Sequence, residues 1–347
     1  MLKSIVRKGM VCQIVAFAFS CSLLALPCQG AVIFETTFDS NADWNASKQY
    51  EGNECIDPCT TAPTNWTNYR VVDGSGSWTN PTGSIRKLPG SVADHSGTGT
   101  GKGYVVYNES HPVDNWPGDS ELVKNLHTEY PEIYFRAWMR TQPGWQSVTG
   151  ASSKIFRIEH FDQTGNIFAN FSTGDMSPIA LLLFGQMGGS TQGAYVPAFR
   201  CAPQSSNYYC TSAPSYMQND IFTTLGTAKT VTTSWADGNW HQYDIHVKMN
   251  TIGSNNGVFE FSVDGTLMVS RTDAQWKVSG AGAGDGWNTI SIGGNSNNSF
   301  ATQAEQWYAI DDVVVSTTPI PAGYTIGGGT TPASPSAPPN ATGSGHQ

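Results

Sequence analysis

W-A-D-G-N-W-H-Q-Y-D-I-H-V-K-M-N-T-I-G-S-N-N-G-V-F-E-F-S-V-D-G-T-L-M-V-S-R, running from Trp235 to Arg271, is the stretch that decides the fold. From His241 to Met249 the residues alternate. His241, Tyr243, Ile245, Val247 and Met249 fall on one side, and Gln242, Asp244, His246 and Lys248 on the other. A two-residue period marks a strand with one buried and one wet face. A polar turn follows from Gly253 to Gly257, and Phe259, Phe261 and Val263 then alternate again. Asp264-Gly265 is a hairpin signal, because glycine tolerates the positive φ of such turns. Leu267 to Val269 returns as a third strand, so the stretch predicts an antiparallel meander.

Outward from the meander, Glu132 to Arg140 is the next informative strand. Phe135, Ala137 and Met139 make its core face, which leaves Tyr134, Arg136, Trp138 and Arg140 together on the opposite face. Two arginines beside Trp138 argue that this face is not core. In Lys154 to Phe161, Phe156 and Ile158 point in while Arg157 and Glu159 point out. Ser177 to Gly185 carries the densest apolar run and reads as a strand buried on both faces, a short helix being the alternative. Further strands are expected at Ala31 to Asp39, Gly103 to Tyr107, Asn288 to Gly293 and Trp307 to Ser316. Asn53 to Ser84 and Gly188 to Ala228 read as long loops, and Trp276 and Trp287 as residues of Gly-rich turns.

The Gly238-Asn239-Trp240-His241 step, the alternating strand, the Asn250-Thr251 turn and the aromatic strand ending Val263-Asp264-Gly265 resemble the concanavalin A-like lectin/glucanase superfamily. That group includes laminin-G-like domains, laminarinase-type glucanases and jelly-roll polysaccharide lyases. Trp307 to Ser316 resembles its closing strand. The resemblance implies an all-β jelly-roll sandwich of two antiparallel sheets over residues 31–319, and a carbohydrate-facing role. It does not by itself imply a reaction.

Composition agrees with many strands and turns: 37 Gly, 11 Trp and only 13% charged residues. Lys3, Arg7 and Lys8 precede an apolar run from Val11 to Leu26, with Cys28 and Gly30 at peptidase-type positions. Residues 1–30 are therefore expected to be a signal peptide. The run is short for a membrane span, so the mature chain is expected to be secreted to the cell exterior. The formal net charge is −9, and without the three basic leader residues it is −12. Such a chain is a poor match for nucleic acid, whose binding rests on cationic contacts. Cys55, Cys59, Cys201 and Cys210 remain after the leader. They read as two disulfides, Cys55–Cys59 and Cys201–Cys210 being preferred among three connectivities. Residues 320–347 are rich in Gly, Pro, Ser and Thr, and are expected to be a disordered tail or linker.

The glucanase Glu-x-Asp-x-(x)-Glu signature is absent, as are His-Glu-x-x-His and Gly-x-Ser-x-Gly. The Gly-rich run before Lys102 lacks the first Gly and the Ser/Thr of a phosphate loop. A sugar-binding sheet needs aromatic platforms and hydrogen-bonding side chains. Tyr134, Trp138, Arg140, Glu159, Gln242, Asp244 and Lys248 are the candidates for contacting a polysaccharide or other glycan, and carbohydrate binding is the leading expectation. The alternative is a polysaccharide lyase, which needs a group to neutralise a uronate carboxylate and a base beside the sugar. Arg136, Arg140 and Arg157 would serve as clamps and His246 or Lys248 as base, with Tyr134, Arg136, Trp138, Arg140, Arg157, Gln242, Asp244 and His246 expected together on one sheet's exposed face. The alginate-lyase patterns Gln-(Ile/Val)-His and Tyr-Phe-Lys-Ala-Gly are absent; Tyr134-Phe135-Arg136-Ala137-Trp138 departs at the Lys and Gly positions. A third expectation is a surface-assembly role without sugar. Finally, the resemblance to jelly-roll modules implies a structural Ca²⁺ joining first and last strands, with Glu35, Asp39 and Asp311 as ligands. The competing expectation is that backbone N–H groups satisfy Asp311.

Overall fold

The computed structural model describes residues 31–46, 53–72, 83–88, 93–95, 101–108, 119–145, 152–168, 176–185, 194–200, 223–224, 236–277, 285–294, 296–297 and 306–327. The expected leader, most of the expected tail and the Cys201–Cys210 pair lie outside the described residues. No described helix is long and apolar enough to cross a membrane.

Alternation of apolar and polar residues produces strands almost throughout. They are β1 (Val32–Thr36), β2 (Trp44–Asn45), β3 (Asn53–Cys55), β4 (Asn68–Val72), β5 (Gly83–Arg86) and β6 (Gly103–Asn108). Next come β7 (Asp119–Tyr130), β8 (Glu132–Thr141), β9 (Ser152–Phe161), β10 (Met176–Gly185), β11 (Ala194–Arg200) and β12 (Thr223–Thr224). The last are β13 (His241–Lys248), β14 (Gly257–Val263), β15 (Thr266–Ala274), β16 (Trp287–Gly293), β17 (Ser296–Asn297) and β18 (Gln306–Ser316).

They form two antiparallel nine-stranded sheets. The first runs β15-β14-β13-β8-β18-β6-β5-β2, with β1 on β18. The second runs β12-β11-β10-β9-β16-β7-β4-β3, with β17 on β9. This is the concanavalin A-like jelly-roll sandwich. The meander is β13-β14-β15, turned at Asp264 and Gly265 with φ of 49° and 73°.

The core lies between the sheets. Phe135 meets Phe156 at 5.3 Å between ring centroids, Phe156 meets Tyr243 at 5.6 Å and Tyr243 meets Phe184 at 5.2 Å. Trp276 and Trp287 are completely buried in this core and pack edge to face at 5.2 Å, so neither marks a surface turn. Both expected loops also contain strands: β3 and β4 in the first, β11 and β12 in the second. Cys55 and Cys59 are joined in a disulfide.

β10 is buried on both faces. Ala180, Leu182 and Phe184 enter the inter-sheet core. Ile179, Leu181 and Leu183 form a second apolar cluster with Val123, Phe161, Ile167 and Phe168 on the far face of the second sheet. That far face is where the charged residues described next are found.

Candidate functional site

β9 carries the site because its apolar residues take one face. Phe156 and Ile158 fill the core, which turns Arg157 and Glu159 outward from the sandwich. They are nevertheless buried, at 8% and 4% exposure. Register places Arg157 between Leu181 of β10 and Ser291 of β16, and Glu159 between Ile179 and Thr289. One strand further on, β7 brings Val123 opposite Ser291, Asn125 opposite Thr289 and Glu121 opposite Gly293. The result is a patch of buried charge beside the apolar side chains of β10.

Lys154 joins this patch through a bulge. Leu182 pairs with Phe156 but Leu183 pairs with Lys154, so Ile155 is the extra residue. Lys154 therefore shares the face of Arg157 although three positions separate them, and it too is buried. Strict two-residue alternation would send it the other way, which is why sequence reading misses it. Arg157 forms an ion pair with Glu121, both side chains being under 10% exposed. Gly294 permits this placement. A Cβ there would lie 2.4 Å from the Lys154 carbonyl and 2.7 Å from Arg157 Nη2, and its φ is +147°.

Burial, with the charge of Glu121 adding to it, raises the Glu159 carboxyl to about 8, against the opposing pull of Arg157. Glu159 thus keeps its proton at neutral pH. The patch extends along the sheet through the Asn125–Gln163 amide pair (2.9 Å), the Arg70–Glu54 pair (3.8 Å) and Asn166, which donates to Glu54. Chemically it offers a fixed guanidinium, an amine, a proton-bearing carboxyl and amide groups on one face.

The other expected site residues are on the opposite side of the molecule. Tyr134, Arg136, Trp138 and Arg140 on β8, and Gln242, Asp244, His246 and Lys248 on β13, line the outer face of the first sheet. The expectation that Arg157 shares one exposed sheet face with Tyr134, Arg136, Trp138, Arg140, Gln242, Asp244 and His246 is thus corrected: β8 and β13 are neighbours, but β9 belongs to the other sheet. Most of the first set is also consumed internally. Arg136 donates from Nε to Asp244 (2.7 Å), from Nη1 to the Pro321 carbonyl (2.7 Å) and from Nη2 to the Ile320 carbonyl (3.2 Å). It ties down the segment after β18, with three of its five N–H groups engaged. His246 stacks on Tyr134 at 4.1 Å, with its two ring nitrogens 2.8 Å from Glu132 and 3.0 Å from Glu260. Gln242 donates to Asp244 (2.6 Å), Tyr134 to Glu132 (2.9 Å), and Lys248 lies 3.4 Å from Glu132. Arg136 and His246 are thus both engaged in internal pairs on this face.

The expected calcium ligands separate. Glu35 accepts a hydrogen bond from Tyr324. Asp311 is buried and accepts the backbone N–H groups of His95 (2.9 Å) and Asp312 (2.8 Å), as the competing expectation has it. Burial and the charges of Asp312 and Asp39 raise its pKa. Among the described residues no three His, Cys, Asp or Glu side chains form a metal-holding group. Glu35 does not fit; Asp39 and Asp311 remain the acidic pair between the chain's two ends.

With sheets and site described, the fold is that of a concanavalin A-like jelly roll. The sequence model of the polysaccharide lyase 14 family matches residues 188–313. No curated protein matches the chain. Among solved structures, an alginate lyase bound to an alginate tetrasaccharide is similar with a TM-score of 0.50 and 12% identity, over 81% of this chain and 95% of that one. An endo-β-1,4-glucuronan lyase from the fungus Trichoderma reesei is similar with a TM-score of 0.46 and 16% identity, over 73% and 96%. An alginate lyase from Chlorella virus gives 0.48 and 10%, over 73% and 93%.

Proposed function

We propose that this protein is a polysaccharide lyase that cleaves a uronate-containing polysaccharide by β-elimination on the outer face of the second sheet. The observation that carries the reading is the burial of Lys154, Arg157, Glu159 and Glu121 together on one sheet face. An ordinary solvated sheet face does not bury four ionisable side chains, because desolvating charge is costly unless it is paired or put to use. The match of residues 188–313 to the polysaccharide lyase 14 family supports the same reading, since it spans β16, one strand of the patch.

In the proposed step Arg157 pairs with the uronate carboxylate and neutralises the charge that builds there when the neighbouring C5–H proton is removed. In this reading Lys154 accepts that proton. The electron pair forms the C4–C5 double bond as the C4–O bond breaks, and Glu159 delivers its proton to the departing oxygen. All three groups lie on one face of the second sheet, and the step consumes no oxidant or water.

Incubation with alginate, polyglucuronate and a neutral β-glucan tests it, read by ultraviolet absorption of the unsaturated product and its mass. Product from a uronate chain only, lost in Arg157→Gln, is expected. Retention of these polysaccharides without any product would leave carbohydrate binding in place of the lyase reading.

A further inference from the structure

The outer face of the first sheet holds a second feature that the proposed elimination does not use. Trp138 on β8, Trp307 on β18 and Trp240, just before β13, are all partly exposed there. His95 stacks on Trp138 at 3.7 Å and meets Trp240 edge-on at 5.6 Å, so these rings are contiguous. Trp240 and Trp307 in turn both pack on a satellite cluster that includes Leu88, Tyr107 and Ala309. The three indoles thus spread along one side of the sandwich instead of filling its core.

Arg140 stands among them. It lies two residues from Trp138 on the same face and pairs with Ala309, itself two residues from Trp307. Trp240 precedes His241, the partner of Met139, which puts it at the neighbouring register position on the other side. Arg140 Nε is buried with no hydrogen-bond partner, and among the described residues the guanidinium makes no ion pair. Arg136 of the same strand is by contrast paired internally. Asp311 and Asp312 of the adjacent β18 are engaged by His95, which donates its backbone N–H to Asp311 at 2.9 Å and lies 2.6 Å from Asp312 through Nδ1.

We infer that Trp138, Trp240 and Trp307 around Arg140 form a second glycan-binding surface, on the side of the sandwich opposite the candidate cleft, for acidic polysaccharide. The chemistry selects this ligand. Sugar rings present apolar C–H faces that stack on indoles. A guanidinium with an unmet donor, set among such rings, pairs with a planar carboxylate in two-pronged fashion. A neutral glucan would use the rings and leave the buried donor unpaired. Such a surface would hold the chain against a long polymer whether or not the other face cleaves it.

Affinity electrophoresis of the intact chain through gels containing alginate, polyglucuronate or a neutral β-glucan separates the two faces. The cleft variant Arg157→Gln/Glu159→Gln is expected to remain retarded in the acidic gels. Arg140→Gln is expected to bind about tenfold more weakly in acidic gels only, the loss of one charged hydrogen bond. Trp240→Ala, checked for folding by near-ultraviolet circular dichroism, is expected to weaken retardation too. Three results overturn the inference: retardation abolished by the cleft variant alone, equal retardation in the neutral gel, or Arg140→Gln and Trp240→Ala that alter only the oligomeric state. Because retardation needs no turnover, its loss is distinguishable from a failure of the lyase reading.

Discussion

Arg157 of β9 and Glu121 of β7 are joined by an ion pair that spans β16, two strands that share no direct pairing. Both side chains are more than nine-tenths buried. Removing one partner of such a pair leaves an uncompensated charge and costs about 3–5 kcal/mol. Arg157→Gln should therefore lower stability by that order, and the added change Glu121→Gln should recover much of it. Activity on uronate polysaccharide should stay lost in both. Denaturant titration together with the lyase assay checks this; activity regained in the double variant would deny Arg157 its role toward substrate.

Gly294 is where this arrangement is most sensitive to a single carbon. A Cβ would press on the Lys154 carbonyl and the Arg157 guanidinium, in a backbone region that side chains rarely adopt. Gly294→Ala should lower the melting temperature and the rate together, while Gly253→Ala, whose Cβ would meet nothing, should cost only its backbone strain at φ +85°. Equal effects of the two on rate would mean that Arg157 does not need its present position.

The fold was legible because inward and outward residues alternate cleanly in β8, β13 and β14. Their wet faces carry polar groups and their other faces fill the core. The site was legible only by half. Arg157 and Glu159 were found from the alternation of β9, but strand order is decided by long-range pairing that no local pattern encodes. The alternation of β9 therefore does not say which strands flank it. Lys154 was hidden by the bulge at Ile155, and Glu121 by a strand, β7, whose outer face mixes Glu121, Val123 and Asn125. The polar face of β8 and β13 looked like a site because internal pairing, such as His246 between Glu132 and Glu260, is invisible until the strands are placed.

Calcium joining the chain's ends stays a proposal drawn from the resemblance, with Asp39 and Asp311 as its anchors. An ion bound only by the folded protein raises the melting temperature. Melting in millimolar calcium and in chelator should differ, and Asp39→Asn should remove the difference. Identical curves, with no metal by elemental analysis, would eliminate the ion.

His246 makes a pH prediction on the acid side. Its hydrogen bond leads in lowering Glu260; in Glu132 burial is the largest influence and pushes upward, but the hydrogen bonds from His246 and Tyr134 with the charges of Lys248 and His246 together outweigh it, so both carboxyls sit below their usual 4.5. Carboxylates depressed in the folded state contribute stability above 4.5, and that contribution is lost as pH falls through the folded values. His246→Gln should move acid unfolding to higher pH. An unmoved midpoint would show that the two glutamates do not depend on the ring.

Glu159 gives the opposite sign. The unfolded chain releases this proton near 4.5, whereas the folded chain holds it to about 8. Between those values the native state binds more protons than the unfolded one, so stability falls as pH rises, by at most roughly 1.4 kcal/mol per pH unit. Above about 8 both states are ionised and the penalty is complete. Glu159→Gln keeps the shape of the side chain and removes its charge. Urea unfolding at intervals from pH 5 to pH 9 should thus show the native slope flattened in the variant, and the variant the more stable of the two at pH 8. Its lyase rate should nonetheless fall by about 10²-fold or more, since an amide has no proton to give the departing oxygen. A variant with the native pH slope would mean that Glu159 is already ionised in the folded protein, and the proton donor would have to be sought elsewhere on the face.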